Sequence, residues 1–131
     1  MISRLFFLIC LVFSFQDIYA NDDWKRYPSI SPDGSRICFS YQGDLWISSS
    51  LGGKAERLTN NDAYDMSPNW SPDGKSIAFA SDRHGNFDVY IVSSAGGIPK
   101  RISFHNANEY PSGFSADGLS VYVSMHRMDS P

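Results

Sequence analysis

The 131-residue chain sets 11 lysines and arginines against 14 aspartates and glutamates, for a formal net charge of −3. Its basic residues are scattered rather than gathered into a stripe, which excludes a nucleic-acid partner. Of its two cysteines, only Cys38 lies beyond the apolar N-terminal run, so an intrachain disulfide is excluded there and packing must hold the fold.

Residues 1–20 read as a secretory signal peptide. Arg4 supplies the basic start, Leu5 to Phe15 the apolar run, and Ile18-Tyr19-Ala20 the cleavage site. The run is short for a transmembrane span, and an uncleaved anchor is the alternative. Leu8 and Ile9 before Cys10 are not the small residues of a lipoprotein cleavage site, so export without a lipid anchor is expected, to the periplasm or the exterior. Membrane contact is then confined to this segment. Residues 21–26 are a short lead-in.

From residue 27 the chain repeats itself. Ser31-Pro32-Asp33-Gly34 returns as Ser71-Pro72-Asp73-Gly74, and with one change as Ser115-Ala116-Asp117-Gly118, at spacings of 40 and 44 residues. One copy would be only a turn, in which Pro at the second position and Gly at the fourth suit a type I geometry. Three copies mark a repeated structural unit. We therefore single out Pro32, Asp33, Gly34, Pro72, Asp73, Gly74, Asp117 and Gly118 as structural turn residues, with the aspartates capping their own backbone amides.

The register runs on beyond the turns. Ile37-Cys38-Phe39 aligns with Ile77-Ala78-Phe79 at offset 40, and Val121-Tyr122-Val123 follows at offset 44. Asp44-Leu45-Trp46-Ile47 aligns with Asp88-Val89-Tyr90-Ile91, and Arg57-Leu58-Thr59 with Arg101-Ile102-Ser103, all at offset 44. Four extra residues must therefore lie between Phe79 and Asp88, in a polar hairpin tip at 81–87 where added length costs little.

Turn signals divide the first unit into strands at 28–31, 36–41, 44–49 and 54–59. In the second of these, Ile37, Phe39 and Tyr41 share one face and Arg36, Cys38 and Ser40 the other. Four antiparallel strands in about 40–45 residues is the size of one β-propeller blade. The fold class is thus all-β, a propeller of four-stranded blades, with repeats at about 27–66, 67–110 and a truncated 111–131. A β-sandwich is the alternative, but it does not predict so regular a register. Propellers close with about four to eight blades, so two and a half units are expected to open a longer protein and, by themselves, to expose faces and edges that associate.

The search for chemistry favours structural roles. Ser, His and Asp are all present, but the Gly-x-Ser-x-Gly elbow is missing and the serines sit at turns and strand ends, so no catalytic residue is assigned. His84, His105 and His126 fall 21 residues apart, in different parts of successive units, which argues against a shared metal. Asp82, Asn86 and Asp88 lack the twelve-residue calcium-loop pattern, so no metal or cofactor is assigned there either. Cys38 stands where Ala78 stands in the next unit, as a small buried filler. Asn69-Trp70-Ser71 is formally a glycosylation sequon, but its place in a strand entering a turn argues against modification. Arg57 and Arg101, at one repeat position, suggest a structural contact between blades, and the paired aromatics Trp46 with Tyr90 and Trp70 with Phe114 suggest blade packing.

Tyr27 to Gly34, Ser81 to Tyr90 and Gly96 to Ser103 resemble the propeller repeats of the exported TolB protein and of the N-terminal propeller in tricorn-type serine proteases. The segment Phe104 to Phe114 looks like a blade junction of the tricorn-like enzymes, and only about six residues separate Ala20 from the first repeat, where TolB carries an α/β domain. The resemblance implies a non-catalytic propeller that helps admit or select peptide substrates for a downstream serine protease domain. The alternative it implies is an exported, TolB-like propeller that binds an envelope protein.

Overall fold

The computed structural model describes residues 25–126. The expected signal segment, all but the last two residues of the lead-in, and residues 127–131 lie outside that range. Two four-stranded antiparallel sheets and one two-stranded sheet follow one another along the chain, each strand beside its sequence neighbour. The first sheet comprises β1 (Arg26–Ile30), β2 (Arg36–Tyr41), β3 (Asp44–Ser49) and β4 (Glu56–Arg57). The second comprises β5 (Asp65–Trp70), β6 (Ser76–His84), β7 (Asn86–Ser93) and β8 (Lys100–Arg101), and the third pairs β9 (Asn108–Phe114) with β10 (Val121–His126).

The two middle strands of the first sheet keep the bounds read from the sequence, and its outer strands do not. β4 shrinks from the expected 54–59 to two residues because Leu58 and Thr59 both turn their amides onto the Leu45 carbonyl, at 2.7 and 3.3 Å, which ends the ladder. The same convergence recurs at offset 44, where Ile102 and Ser103 donate to the Val89 carbonyl.

Simple alternation also gives way in the middle strands. Ile77 to Ser81 on β6 are all fully buried, and on β2 the consecutive residues Cys38, Phe39 and Ser40 are all buried although they alternate between its two faces. A sheet with one solvated face would bury every second residue, so both faces here are covered by neighbours. The inner strands carry the contact, with β1 packed on β5 and β5 on β9. At the first seam the Trp70 indole N–H donates to the Ser29 carbonyl at 2.9 Å, and the Arg36 guanidinium lies 4.7 Å from the Trp70 ring. At the second, Asn69 Nδ2 donates to Pro111 O at 3.1 Å and to Ser67 O at 3.0 Å, so the sequon amide is committed to holding two sheets together.

Tyr27 and Ser67, one repeat apart, both adopt left-handed backbone with φ of 54° and 55°, at bulges in β1 and β5. Strain of this kind costs about 1–3 kcal/mol per residue and persists only where the surroundings over-determine it. A proline follows each, and having no N–H it loses no ladder bond at the bulge.

Burial pushes the Cys38 thiol up to about 12, so it stays protonated at any working pH. Native protein at pH 8 is therefore expected to leave a thiol reagent unconsumed at Cys38 and to consume one equivalent there once urea unfolds it. Rapid reaction in the native state would contradict a sealed position.

Candidate functional site

The three SPDG-type turns have one geometry. Ser31 Oγ donates to Asp33 Oδ1 at 2.7 Å, the Ser35 amide donates to the same oxygen at 3.0 Å, and the Arg36 amide donates to Ser31 Oγ at 2.9 Å. In the second turn Ser71, Lys75 and Ser76 repeat these bonds around Asp73. In the third, Ser115, Leu119 and Ser120 repeat them around Asp117. Gly34, Gly74 and Gly118 close the turns with φ near +70°, a region that costs glycine nothing. Neighbouring turns also stack: a side chain grown at Gly74 would touch Pro32, and one at Gly118 would touch Pro72. Pro32, Asp33, Gly34, Pro72, Asp73, Gly74, Asp117 and Gly118 thus tie off strand pairs and meet across the seams.

The turn aspartates respond to pH. The Ser35 amide, then the Ser31 and Ser35 hydroxyls, lower Asp33 from 3.8 to about 2. The Ser71 hydroxyl and the Lys75 amide lower Asp73, and Ser115 and Leu119 lower Asp117 in the same way. A carboxylate depressed on folding contributes stability that is complete above its unfolded value and is lost as pH falls through the folded one. Urea midpoints measured between pH 5 and pH 2 should therefore fall, and fall less in Asp33→Asn, which has no proton to gain.

Arg57 and Arg101 take a role different from the one their repetition suggested. Each pairs inside its own sheet. Arg57 binds Asp44 through Nε at 3.1 Å and through a second contact from Nη2, and Arg101 Nη2 lies 2.8 Å from Asp88 Oδ2. The cause is the register, which sets Arg57 opposite Trp46 and Arg101 opposite Tyr90, two residues along from each aspartate and on its face. Thr59 and Ser103 complete the motif, accepting the Leu45 and Val89 amides at 2.9 and 2.8 Å.

The four inserted residues do not form a free loop. They lengthen β6 and β7 into a tip closed at Gly85, whose amide donates to Asp82 O. Asp82 Oδ1 accepts the Tyr64 amide at 2.7 Å, and Asn86 Nδ2 donates to His105 O and Ala107 O, both at 3.0 Å. Asp82, Asn86 and Asp88 thus go to three separate partners. Arg83 Nη2 donates to both carboxylate oxygens of Asp65, at 3.1 and 3.2 Å, while Nε donates to Ser81 Oγ at 2.8 Å. No spacing rule announced this buried pair, although the insertion itself located Arg83. His84 stacks on Tyr90, and His105 Nδ1 accepts the Ala107 amide. Among the described residues no three His, Cys, Asp or Glu side chains gather as a metal site.

Strand alternation puts the SPDG turns at one end of the sheets, and the β2–β3 and β6–β7 tips at the other with the inter-sheet connectors. At that second end, between the first tip and the connector 60–64, lies a polar cleft of about 570 Å³ bordered by Tyr41, Gln42, Asp62 and Tyr64.

Successive four-stranded antiparallel sheets packed through their inner strands make a propeller, and the family model of the tricorn protease N-terminal beta propeller domain matches residues 22–131. The chain belongs to that family. Its relatives include the Uncharacterized peptidase YuxL of Bacillus subtilis, 33% identical over 69 residues that cover 45% of this chain and 10% of that protein. Among solved structures, a putative TolB from Agrobacterium tumefaciens superposes with a TM-score of 0.73 at 24% identity, covering 85% of this chain and 42% of that one. The tricorn protease superposes with a TM-score of 0.64 at 25% identity, covering 73% and 10%. This propeller chain therefore spans a minor part of each.

Proposed function

We propose that the chain is the non-catalytic opening part of the propeller of an exported tricorn-type serine peptidase, where it helps admit or select peptides for a protease domain further along the protein. The observation that carries this reading is the family match over residues 22–131, joined to a leader-like segment at 1–20. The side chains accord with a scaffold role, since the repeated Asp, Arg and Ser residues bind their own sheets and turns. Sequencing the encoding DNA past Pro131 tests it, with a serine protease domain in frame as the expected result. An intact reading frame without one would sink it.

The TM-score of 0.73 against a putative TolB favours a second reading, an exported propeller that binds an envelope protein through its end loops. Affinity capture from envelope extracts with the whole encoded protein separates the two. A stoichiometric envelope partner with no peptidase activity would favour the second.

A further inference from the structure

One repeat position is supplied with hydrogen-bond donors in the first sheet and stripped of them in the second. Asp44 accepts the Asn61 amide on Oδ1 at 3.2 Å, and on Oδ2 it accepts Arg57 Nε at 3.1 Å together with Nη2. Asp88 stands 44 residues on, and there the matching donors point elsewhere. The amide of His105, the counterpart of Asn61, goes to Glu109 Oε2 at 3.4 Å, and Arg101 Nε donates to Ser103 O at 3.0 Å. Arg101 Nη2 stays 2.8 Å from Asp88 Oδ2 as an ion-pair contact, but neither Asp88 oxygen receives a hydrogen bond from the described residues. The Tyr90 hydroxyl is buried without a hydrogen-bond partner as well. Asp88 is fully buried and Tyr90 is 2% exposed.

The two groups stand two residues apart on β7 and so share one side of the sheet. Asp88 lies between Tyr90 and the tip, whose Arg83 and His84 sit 4.7 and 6.3 Å from the Tyr90 ring. Burial raises the Tyr90 hydroxyl above its ordinary value, Arg101 and Arg83 oppose the rise, and Asp88 and Asp65 add to it, so the hydroxyl keeps its proton at neutral pH. A carboxylate that only accepts and a hydroxyl with a proton to give, both sealed from solvent, call for an enclosed ligand that donates and accepts at once. We propose that Asp88 and Tyr90 bind an internal water, which donates to Asp88 where the Asn61 amide donates to Asp44 and accepts from the Tyr90 hydroxyl. Buried waters serve polar groups that would otherwise go unsatisfied. A cation suits the place poorly, because the Arg101 guanidinium already stands against Asp88. Through Tyr90, whose ring Arg83 covers, the water joins the Asp65–Arg83 and Asp88–Arg101 pairs into one network. The site stands whether or not a protease domain follows.

Tyr90→Phe in the 131-residue chain separates a bridged hydroxyl from an orphaned one, since it keeps the ring that stacks on Phe79. If the hydroxyl bonds a bound water, urea unfolding at pH 7 is expected to show a folding equilibrium constant about fivefold lower, the worth of one hydrogen bond. An unchanged or higher constant is what loss of an unpartnered buried hydroxyl gives, and it would overturn the proposal. A crystal structure of the unaltered chain checks the same point without a variant. One ordered water within hydrogen-bond distance of both Asp88 and the Tyr90 hydroxyl is the expected result. Water on only one of them, none on either, or a protein donor in its place would each overturn the proposal.

Discussion

Replacing Arg83 by alanine is expected to destabilise the chain by about 3–5 kcal/mol, the range found when one partner of a buried ion pair is removed. Asp65 is fully buried and the Arg83 side chain is 14% exposed, so water cannot take over the lost partner. The guanidinium also lies 4.7 Å from the Tyr90 ring and 5.7 Å from that of Phe79, contacts that alanine forfeits. Urea unfolding followed by tryptophan fluorescence measures the loss. Arg83→Lys keeps the charge but not the planar guanidinium that bonds Asp65 through Nη2 and Ser81 through Nε, and should fall between wild type and alanine. If Arg83→Ala unfolds at the wild-type urea concentration, the pair does not hold the insertion to β5.

Phe79→Ala is expected to cost about 3–5 kcal/mol, as for other buried aromatic truncations. Phe79 is fully buried in the second sheet and stacks on Tyr90 with ring centroids 5.9 Å apart. Val123 holds the same repeat position in the third sheet, where it is 40% exposed on a strand paired only with β9. Val123→Ala should accordingly cost about 1 kcal/mol or less, in the range of surface substitutions. The contrast, read from paired urea titrations, isolates the covering neighbours from the residue type. Similar losses at both positions would mean that β10 is buried in solution, through self-association of the kind its exposed Tyr122 and Met125 invite.

Much of the scaffold was legible because the chain states it more than once. The SPDG copies set the blade period, and the middle strands followed from turn signals on either side of them. The aspartates were readable as turn caps, since Asp bonds to an amide two residues on wherever the turn is local. Arg57 and Arg101 were recognisable as structural, but their partners were not, because strand pairing rather than sequence distance sets Arg opposite the β3 and β7 positions. Arg83 was the residue most easily passed over. It stands in a polar insertion that reads as solvated, and only the approach of β5 gives it Asp65.

The cleft was hidden for a related reason. A tip four residues shorter at Gln42-Gly43 than at 82–87 reads only as a shorter loop, and the cleft beside it exists only once the connector 61–64 passes there. The sequence by itself determined the repeat, its register, the turn chemistry and the family, because these depend on local spacing. Only the tertiary structure decided which charges pair, which faces are covered and where a pocket opens. Those depend on segments 18 to 42 residues apart being brought within hydrogen-bond distance, and no local pattern encodes that distance.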